Sequence, residues 1–139
     1  MTNFASLASE HPAPASQPGQ DWFDIIRRPT LEAFASAFAA HASMDGAVLA
    51  QPVIGAAGIR EVFDATRRMY DAISFKSEVT TSTRTYLEWE GVFHGSPVAG
   101  VTVLSKDASG LIEHVRLYHR PFSQVLAFSN ELRRLLSPA

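Results

Sequence analysis

Cysteine is absent from the 139 residues of this chain. The protein therefore forms no disulfide, uses no thiolate nucleophile and has no cysteine-based metal site. No apolar run approaches the roughly 18 consecutive residues that a membrane-spanning helix requires. The N-terminus has neither the basic segment nor the continuous apolar segment of a secretory signal, so we expect a cytoplasmic protein without a membrane partner.

Neither sign of charge predominates, because the chain has 12 Lys and Arg residues and 14 Asp and Glu residues, which give a formal net charge of −2. Proteins that bind nucleic acid usually carry a basic excess, so no nucleic-acid partner is expected. The His residues are scattered, and the nearest two, His114 and His119, would point to opposite faces of a strand. The sequence thus predicts no metal site and indicates no cofactor.

A chain of this length has room for one domain with one core. Residues 1–20 are rich in Ala, Ser, Pro and Gln, a composition that buries little surface and predicts a flexible N-terminal arm. Residues 21–139 then form the single folded domain.

Apolar residues recur at three- and four-residue intervals in several segments, which predicts helices. The first helix begins at Asp21 and is interrupted at Pro29. A second helical piece is capped by Thr30 and extends to about His41. A further helix is predicted over Ala57–Tyr70.

Strands are predicted where β-branched and aromatic residues accumulate between turn signals. A short strand over Ala47–Gln51 ends at Pro52, and a C-terminal helix follows Pro121. The remaining strands are predicted over Ile73–Ser82, Thr83–Phe93, Val98–Lys106 and Leu111–Arg120. This order predicts an α+β fold with helices on one face of a mainly antiparallel sheet.

A two-residue turn at His94-Gly95 sets the register of the central hairpin. Counting back by twos from this turn places Trp89 opposite Gly100 and Leu87 opposite Thr102. We assign the face that carries these side chains to the interior, and its members are Leu87, Trp89, Thr102, Val115, Leu117 and His119.

The other face of the sheet is apolar at its centre and charged at its rim. Such a surface suits a contact between two copies of the chain, so we expect a homodimer, with an ordinary solvent-facing surface as the alternative. The residues assigned to this contact are Val101, Val103, Tyr118, Arg116 and Glu88.

Three segments of the chain resemble the nuclear transport factor 2-like superfamily. They are Val48–Val53 together with Gly58–Phe63, the hairpin Phe93–Val98, and Gly110–Val115. The resemblance is strongest to the SnoaL-like group around polyketide cyclases and ketosteroid isomerase. It implies a cystatin-like cone, in which a curved sheet is wrapped by the N-terminal helices around an internal pocket.

The catalytic residues of these relatives do not carry over. By the resemblance, Gln51 stands where ketosteroid isomerases have their catalytic base, and Thr102 stands where they have their protonated Asp donor. The first helix offers no Tyr in place of their Tyr donor. SnoaL-like cyclases have an Asp after a Glu-His pair, whereas Glu113-His114 is followed by no carboxylate in the strand. The Asp-Arg-Asp set of limonene epoxide hydrolases has no counterpart that can be placed in the pocket.

His119 is the best candidate for chemistry, because a pocket histidine exchanges protons near neutral pH. Its alternative role is a histidine that is hydrogen-bonded at the pocket mouth. Gln51 and Thr102 are predicted to orient a ligand oxygen, or else to satisfy each other. The apolar wall is predicted to comprise Trp89, Leu87, Leu117, Val115, Phe38, Phe63 and Phe23.

Three functions remain open at this stage. The chain binds a small apolar molecule without turnover, it is a cofactor-independent isomerase, cyclase or hydratase that uses His119 as acid or base, or it is a homodimeric interaction module with a filled pocket. A pocket of at least about 300 Å3 that contains His119 would disfavour the last of these.

Overall fold

The computed structural model describes residues 17–137. In chain order the elements are α1 (Gln20–Arg27), α2 (Leu31–Ala37), β1 (Phe38–Gly46), β2 (Val53–Ile54), α3 (Ala56–Thr66), β3 (Ala72–Thr80), β4 (Arg84–Phe93), β5 (Ser96–Lys106), β6 (Ile112–Arg120) and α4 (Phe122–Leu136). Most of the predicted N-terminal arm, residues 1–16, lies outside the described residues. Among the helices of residues 17–137, none is both long and apolar enough to cross a membrane.

The strands form one curved sheet in the order β2-β1-β6-β5-β4-β3. β1 runs parallel to β6, and every other neighbouring pair is antiparallel. The helices pack against the inward face of the sheet, where the buried core lies. The predicted α+β class with a mainly antiparallel sheet is confirmed.

The predicted register of the central hairpin is also confirmed. Trp89 lies opposite Gly100, and Leu87 lies opposite Thr102. The turn residues His94 and Gly95 have φ values of 51° and 75°. Two consecutive positive φ values are what a two-residue hairpin turn requires, so this short segment fixes which side chains of β4 and β5 face inward.

The predicted extension of the second helical piece to His41 is wrong. Thr30 does cap α2, because its hydroxyl accepts a hydrogen bond from the backbone N–H of Ala33 at 3.0 Å. Phe38, however, is already extended, with φ −113° and ψ 143°. The backbone from Phe38 to Gly46 pairs with β6, and this pairing outweighs the local helical periodicity.

The predicted strand Ala47–Gln51 is also wrong. The backbone N–H of Leu49 donates to the carbonyl of Gly46 at 3.1 Å, which makes this segment a turn. Pairing with β1 begins only after Pro52, at Val53 and Ile54. The side chains of residues 47–51 therefore do not alternate between the two faces of the sheet, as those of a strand would.

Candidate functional site

A cavity of about 310 Å3 lies between α1, the C-terminal end of α3, the start of β3 and the inward face of the sheet. Its wall is rich in aromatic side chains, with Trp22, Phe23, Phe63, Phe75, Trp89 and Phe128 contributing rings. A wall of this kind favours the burial of flat apolar molecules. The rim includes the charged side chains of Arg27, Arg67 and Asp71.

Tyr70 and His119 form a hydrogen-bonded pair in the wall of this cavity. The Tyr70 hydroxyl lies 3.2 Å from His119 Nε2. Tyr70 belongs to the turn that connects α3 to β3, and His119 is near the end of β6, so 49 residues separate the two along the chain. The fold, and not local sequence, brings them together.

Aromatic rings pack against the pair from two sides. The ring centroid of Trp89 lies 5.1 Å from that of His119 and 5.6 Å from that of Tyr70, with edge-to-face geometry in both contacts. The ring centroid of Phe128 lies 5.6 Å from that of His119 and 5.0 Å from that of Tyr70. The imidazole and the phenol are therefore held in fixed positions by packing from both β4 and α4.

Burial determines the protonation of both groups. It lowers the pKa of His119 to about 4, because the imidazolium would lose its hydration. It raises the pKa of Tyr70 for the same reason, since the phenolate would be the buried charge. At neutral pH the cavity consequently presents an uncharged imidazole and an uncharged phenol.

The pair has unused hydrogen-bonding capacity. Within residues 17–137, His119 Nδ1 is buried without a hydrogen-bond partner, and His119 is the one side-chain partner of the Tyr70 hydroxyl. A phenolic oxygen can donate one hydrogen bond and accept others. When His119 Nε2–H donates to the Tyr70 oxygen, the Tyr70 O–H can donate a second hydrogen bond to an oxygen of a bound molecule.

Several predicted site residues do line this cavity, namely Phe23, Phe63, Trp89, Thr102, Leu117 and His119. Phe38 and Val115 are instead buried in the core, with 3% and 0% of their surfaces exposed. Leu87 lines a second, smaller cavity. Participation of any of these residues in ligand binding remains a prediction.

Gln51 does not belong to the cavity wall, which corrects the expectation that it would supply a polar group there. Its side chain is exposed on the loop between β1 and β2, and it borders two grooves on the outside of the molecule together with Pro52. The expectation came from the resemblance to a base position in a first strand, whereas residues 47–51 form a turn and no strand.

Tyr70, Trp22 and Phe128 are among the cavity residues that sequence reasoning did not assign to the site. A signal for Tyr70 was present, since Phe63, Thr66 and Tyr70 are spaced as one face of a helix. Phe128 had no such signal, because its position depends on how α4 folds back onto β6.

A second polar group lies on the opposite, outward face of the sheet, where β1 and β6 pair. Asp45 accepts hydrogen bonds from Arg116 Nε at 2.9 Å and Nη2 at 3.2 Å. His114 Nε2 lies 3.2 Å from the same carboxylate, and His114 Nδ1 lies 2.7 Å from Ser43 Oγ. The hydrogen bond from Arg116 lowers the pKa of Asp45, so this carboxylate is charged over most of the pH range.

The described residues contain no cluster of three or more His, Cys, Asp or Glu side chains that could hold a metal ion. In the cavity, Tyr70, Thr102 and His119 offer hydrogen bonds to a bound molecule, and His119 can also exchange a proton.

Several solved structures share this architecture. A steroid delta-isomerase from Pseudomonas aeruginosa is 18% identical in sequence and superposes with a TM-score of 0.74. The match covers 84% of this chain and 86% of the isomerase chain. An uncharacterized bacterial protein with a cystatin-like fold from Silicibacter pomeroyi is 13% identical, covers 80% and 79%, and gives 0.73. A protein from Agrobacterium tumefaciens assigned as an isomerase of the SnoaL-like family is 17% identical, covers 87% and 100%, and gives 0.59.

The chain has the nuclear transport factor 2-like fold. The fold expected from the sequence is thus confirmed. No protein-family model matches the sequence, and comparison with curated proteins gives no match. Identities below 20% establish the fold and leave the reaction open, since one fold hosts many activities.

Proposed function

We propose that this protein binds a small, uncharged, ring-bearing molecule in the cavity beneath α1. The observation that carries the proposal is an aromatic cavity of about 310 Å3 whose wall holds the neutral Tyr70–His119 pair. Rings of the ligand would pack against Trp89 and Phe63, and a carbonyl or hydroxyl oxygen would bond to Tyr70. An ionised group at that depth is disfavoured, because nothing there compensates its desolvation.

The size of the cavity favours binding over a purely structural role. A module whose pocket is filled by its own side chains would have no such space, whereas the observed volume is in the range of small-molecule sites. The steroid delta-isomerase and the SnoaL-like protein of the same fold make a small organic ligand a reasonable expectation for this chain as well.

Binding of 2-acetylnaphthalene, measured by equilibrium dialysis, tests this proposal. The ketone places two fused rings and one uncharged oxygen in the cavity. We expect saturable binding that is lost in Leu117→Trp, because the larger side chain fills the cavity. Leu126→Trp is the matched control, since Leu126 is 54% exposed on α4 and does not line the cavity.

Circular dichroism must show that Leu117→Trp is folded before its binding is interpreted. Undiminished binding by a folded Leu117→Trp would place the ligand elsewhere and contradict the proposal. Absence of binding by the unchanged chain, across ring ketones and alcohols of similar size, would contradict it as well.

A second candidate function is proton transfer to and from the bound molecule, and the direct contact between Tyr70 and His119 favours it. In the tautomer whose Nε2–H donates to the Tyr70 oxygen, His119 Nδ1 can accept a proton from the carbon next to a ketone. The electron pair of the broken C–H bond moves onto the carbonyl oxygen, to which the Tyr70 O–H donates a hydrogen bond. This is the chemistry of an isomerase without a cofactor.

Deuterium exchange at the methyl group of 2-acetylnaphthalene in D2O, followed by NMR, tests this second candidate. We expect the unchanged chain to accelerate exchange relative to His119→Gln, which keeps a polar side chain without a titratable base. Equal rates for the two proteins would remove His119 from any catalytic role and leave binding alone.

The partner that we propose is a second copy of the chain, bound through the outward face of the sheet. Val101 pairs with Tyr118, and Val103 pairs with Tyr86, so apolar side chains and rings occupy the middle of this face. Tyr118 and Tyr86 are 53% and 37% exposed, and a contiguous exposed group of this kind is typical of an interaction surface. Val103, next along β5, and the ion-paired Arg116 would extend the contact.

A further inference from the structure

A second cavity of about 190 Å3 lies beneath the same helix as the first. Its wall includes Asp21 and Ile25 of α1, whereas Phe23 and Ile26 of α1 line the first cavity. We refer to these two spaces as the inner chamber, which contains His119, and the outer chamber, which contains Leu87. Of all the residues that line them, Trp22 alone belongs to both chambers.

The strands show that the chambers lie end to end along one face of the sheet. On β4, Trp89 lines the inner chamber and Leu87 lines the outer one. On β5, Thr102 lines the inner chamber and Leu104 the outer one. In each strand the change occurs over two residues, a distance of about 6.6 Å.

Packing holds the Trp22 indole at this boundary. Trp22 is 4% exposed, and its ring centroid lies 5.2 Å from that of Phe63 in an edge-to-face contact. Phe38 contacts it from another direction at 6.1 Å. These two ring contacts keep the indole at the boundary between the two chambers.

The outer chamber suits an apolar extension of a ligand. Leu87, Leu104 and Ile112 form its base on the sheet. Its charged residues include Glu78, which accepts a hydrogen bond from the backbone N–H of Gly19 at 2.8 Å, and Lys106. A molecule that entered from the inner chamber would meet these apolar side chains once the indole was out of the way.

We infer that Trp22 determines the length of the ligand, because it divides a single cleft beneath α1 into two chambers. With Trp22 in place, the protein accepts ring systems that fit the inner chamber and rejects longer ones. A smaller residue at this position joins the chambers and admits an elongated apolar molecule. The inference rests on the proposed function, since it concerns the ligand of that same site.

Two ketones that differ by one linearly fused ring provide the test, namely 2-acetylnaphthalene and 2-acetylanthracene. Equilibrium dialysis gives the ratio of their affinities for the unchanged full chain, Trp22→Val and Leu104→Ala. The unchanged chain should prefer the shorter ketone by about tenfold or more, because extra atoms do not fit a packed site. Trp22→Val should lower this preference by about tenfold or more, because the added ring then gains a buried site.

Leu104→Ala is the matched control, since it enlarges the outer chamber and leaves the partition in place. The ratio of the affinities of Leu104→Ala for the two ketones should equal the ratio measured for the unchanged chain. Trp22→Leu serves as a milder second variant if circular dichroism shows that Trp22→Val does not fold. An unchanged preference in a folded Trp22 variant, or the same change in Leu104→Ala, would overturn the inference while leaving the proposed function intact. Failure of the unchanged chain to bind either ketone would instead overturn both.

Discussion

The Tyr70 hydroxyl and His119 Nε2 lie 3.2 Å apart in a cavity wall that is rich in aromatic rings. Neither group is charged at neutral pH, because burial lowers the pKa of His119 to about 4 and raises that of Tyr70. A ligand therefore meets hydrogen-bonding groups and no ionic ones at this point. The same contact also connects the turn after α3 to the end of β6, so it contributes to stability as well as to recognition.

Removal of the Tyr70 hydroxyl tests that structural contribution. In Tyr70→Phe the His119 Nε2 loses its partner while it stays buried, so we expect the free energy of unfolding to fall by about 1–2 kcal/mol. Urea denaturation at pH 7.5 measures this change. Tyr86→Phe is the control, because Tyr86 is 37% exposed on the outward face and its hydroxyl reaches water. If the free energy of unfolding fell equally in both variants, the Tyr70–His119 hydrogen bond would contribute no more to stability than an exposed tyrosine hydroxyl does.

The pKa of His119 predicts how stability depends on pH. The unfolded chain protonates this imidazole near pH 6.5, whereas the folded chain does so only near pH 4. Between these values the unfolded state binds more protons, so the free energy of unfolding falls as the pH is lowered. The full stabilisation is present above pH 6.5, and up to about 3 kcal/mol of it is lost by pH 4.

Urea denaturation of the unchanged chain and of His119→Gln from pH 7.5 to pH 4.5 measures this dependence. The variant retains every other histidine, so the difference between the two curves isolates His119. We expect the unchanged chain to lose stability more steeply over this range. Parallel curves would mean that His119 titrates alike in the folded and unfolded states and is not desolvated.

The antiparallel part of the sheet formed by β3 to β6 was predictable from sequence because its signals are local. The turn His94-Gly95 forces positive φ values, and a two-residue turn permits one register only. The inward position of Trp89 and Thr102 follows from that register and from alternation along the strand. His119 follows from pairing with Gly100 in the next strand, again by alternation.

The site was less predictable, because long-range packing assembles it. Phe38 follows the helical spacing of Phe34, and only pairing with β6, remote in sequence, makes it the first residue of a strand. Gln51 was placed in the pocket by a strand that tertiary structure does not form. The chamber boundary at Trp22 depends on how α1 lies across the sheet, which no short segment of sequence encodes.

Because Gly100 has no side chain, the Trp89 indole has room to lie in the wall of the cavity. A Cβ added at Gly100 would clash with the backbone carbonyl oxygen of Tyr118 and would also lie 2.7 Å from Trp89 Cζ2. In Gly100→Ala we therefore expect β5 and β6 to move apart locally, the indole to shift, and the free energy of unfolding to fall by about 3 kcal/mol or more. Binding of 2-acetylnaphthalene should weaken with it, because the inner chamber changes shape.

Thermal unfolding, tryptophan fluorescence and equilibrium dialysis measure these three effects. Ala99→Ser is the control, since Ala99 is the neighbouring residue of β5 and its side chain points to the outward face. A Gly100→Ala protein with the stability and emission spectrum of the unchanged chain would show that the indole does not occupy the place described.

The last prediction concerns the homodimer. Val101→Asp puts a carboxylate next to Glu88 at the centre of the proposed contact, where its desolvation would have no compensating partner. The few central residues of an interface supply most of its affinity, so this single change should convert a dimer into monomers at micromolar concentration. Sedimentation velocity of the two proteins measures the change. Leu31→Asp is the control, because Leu31 is 69% exposed on α2 and lies off the sheet. If the unchanged chain is already a monomer, or if Val101→Asp sediments as the same dimer, the outward face is not the interface, and the exposure of Tyr118 needs another explanation.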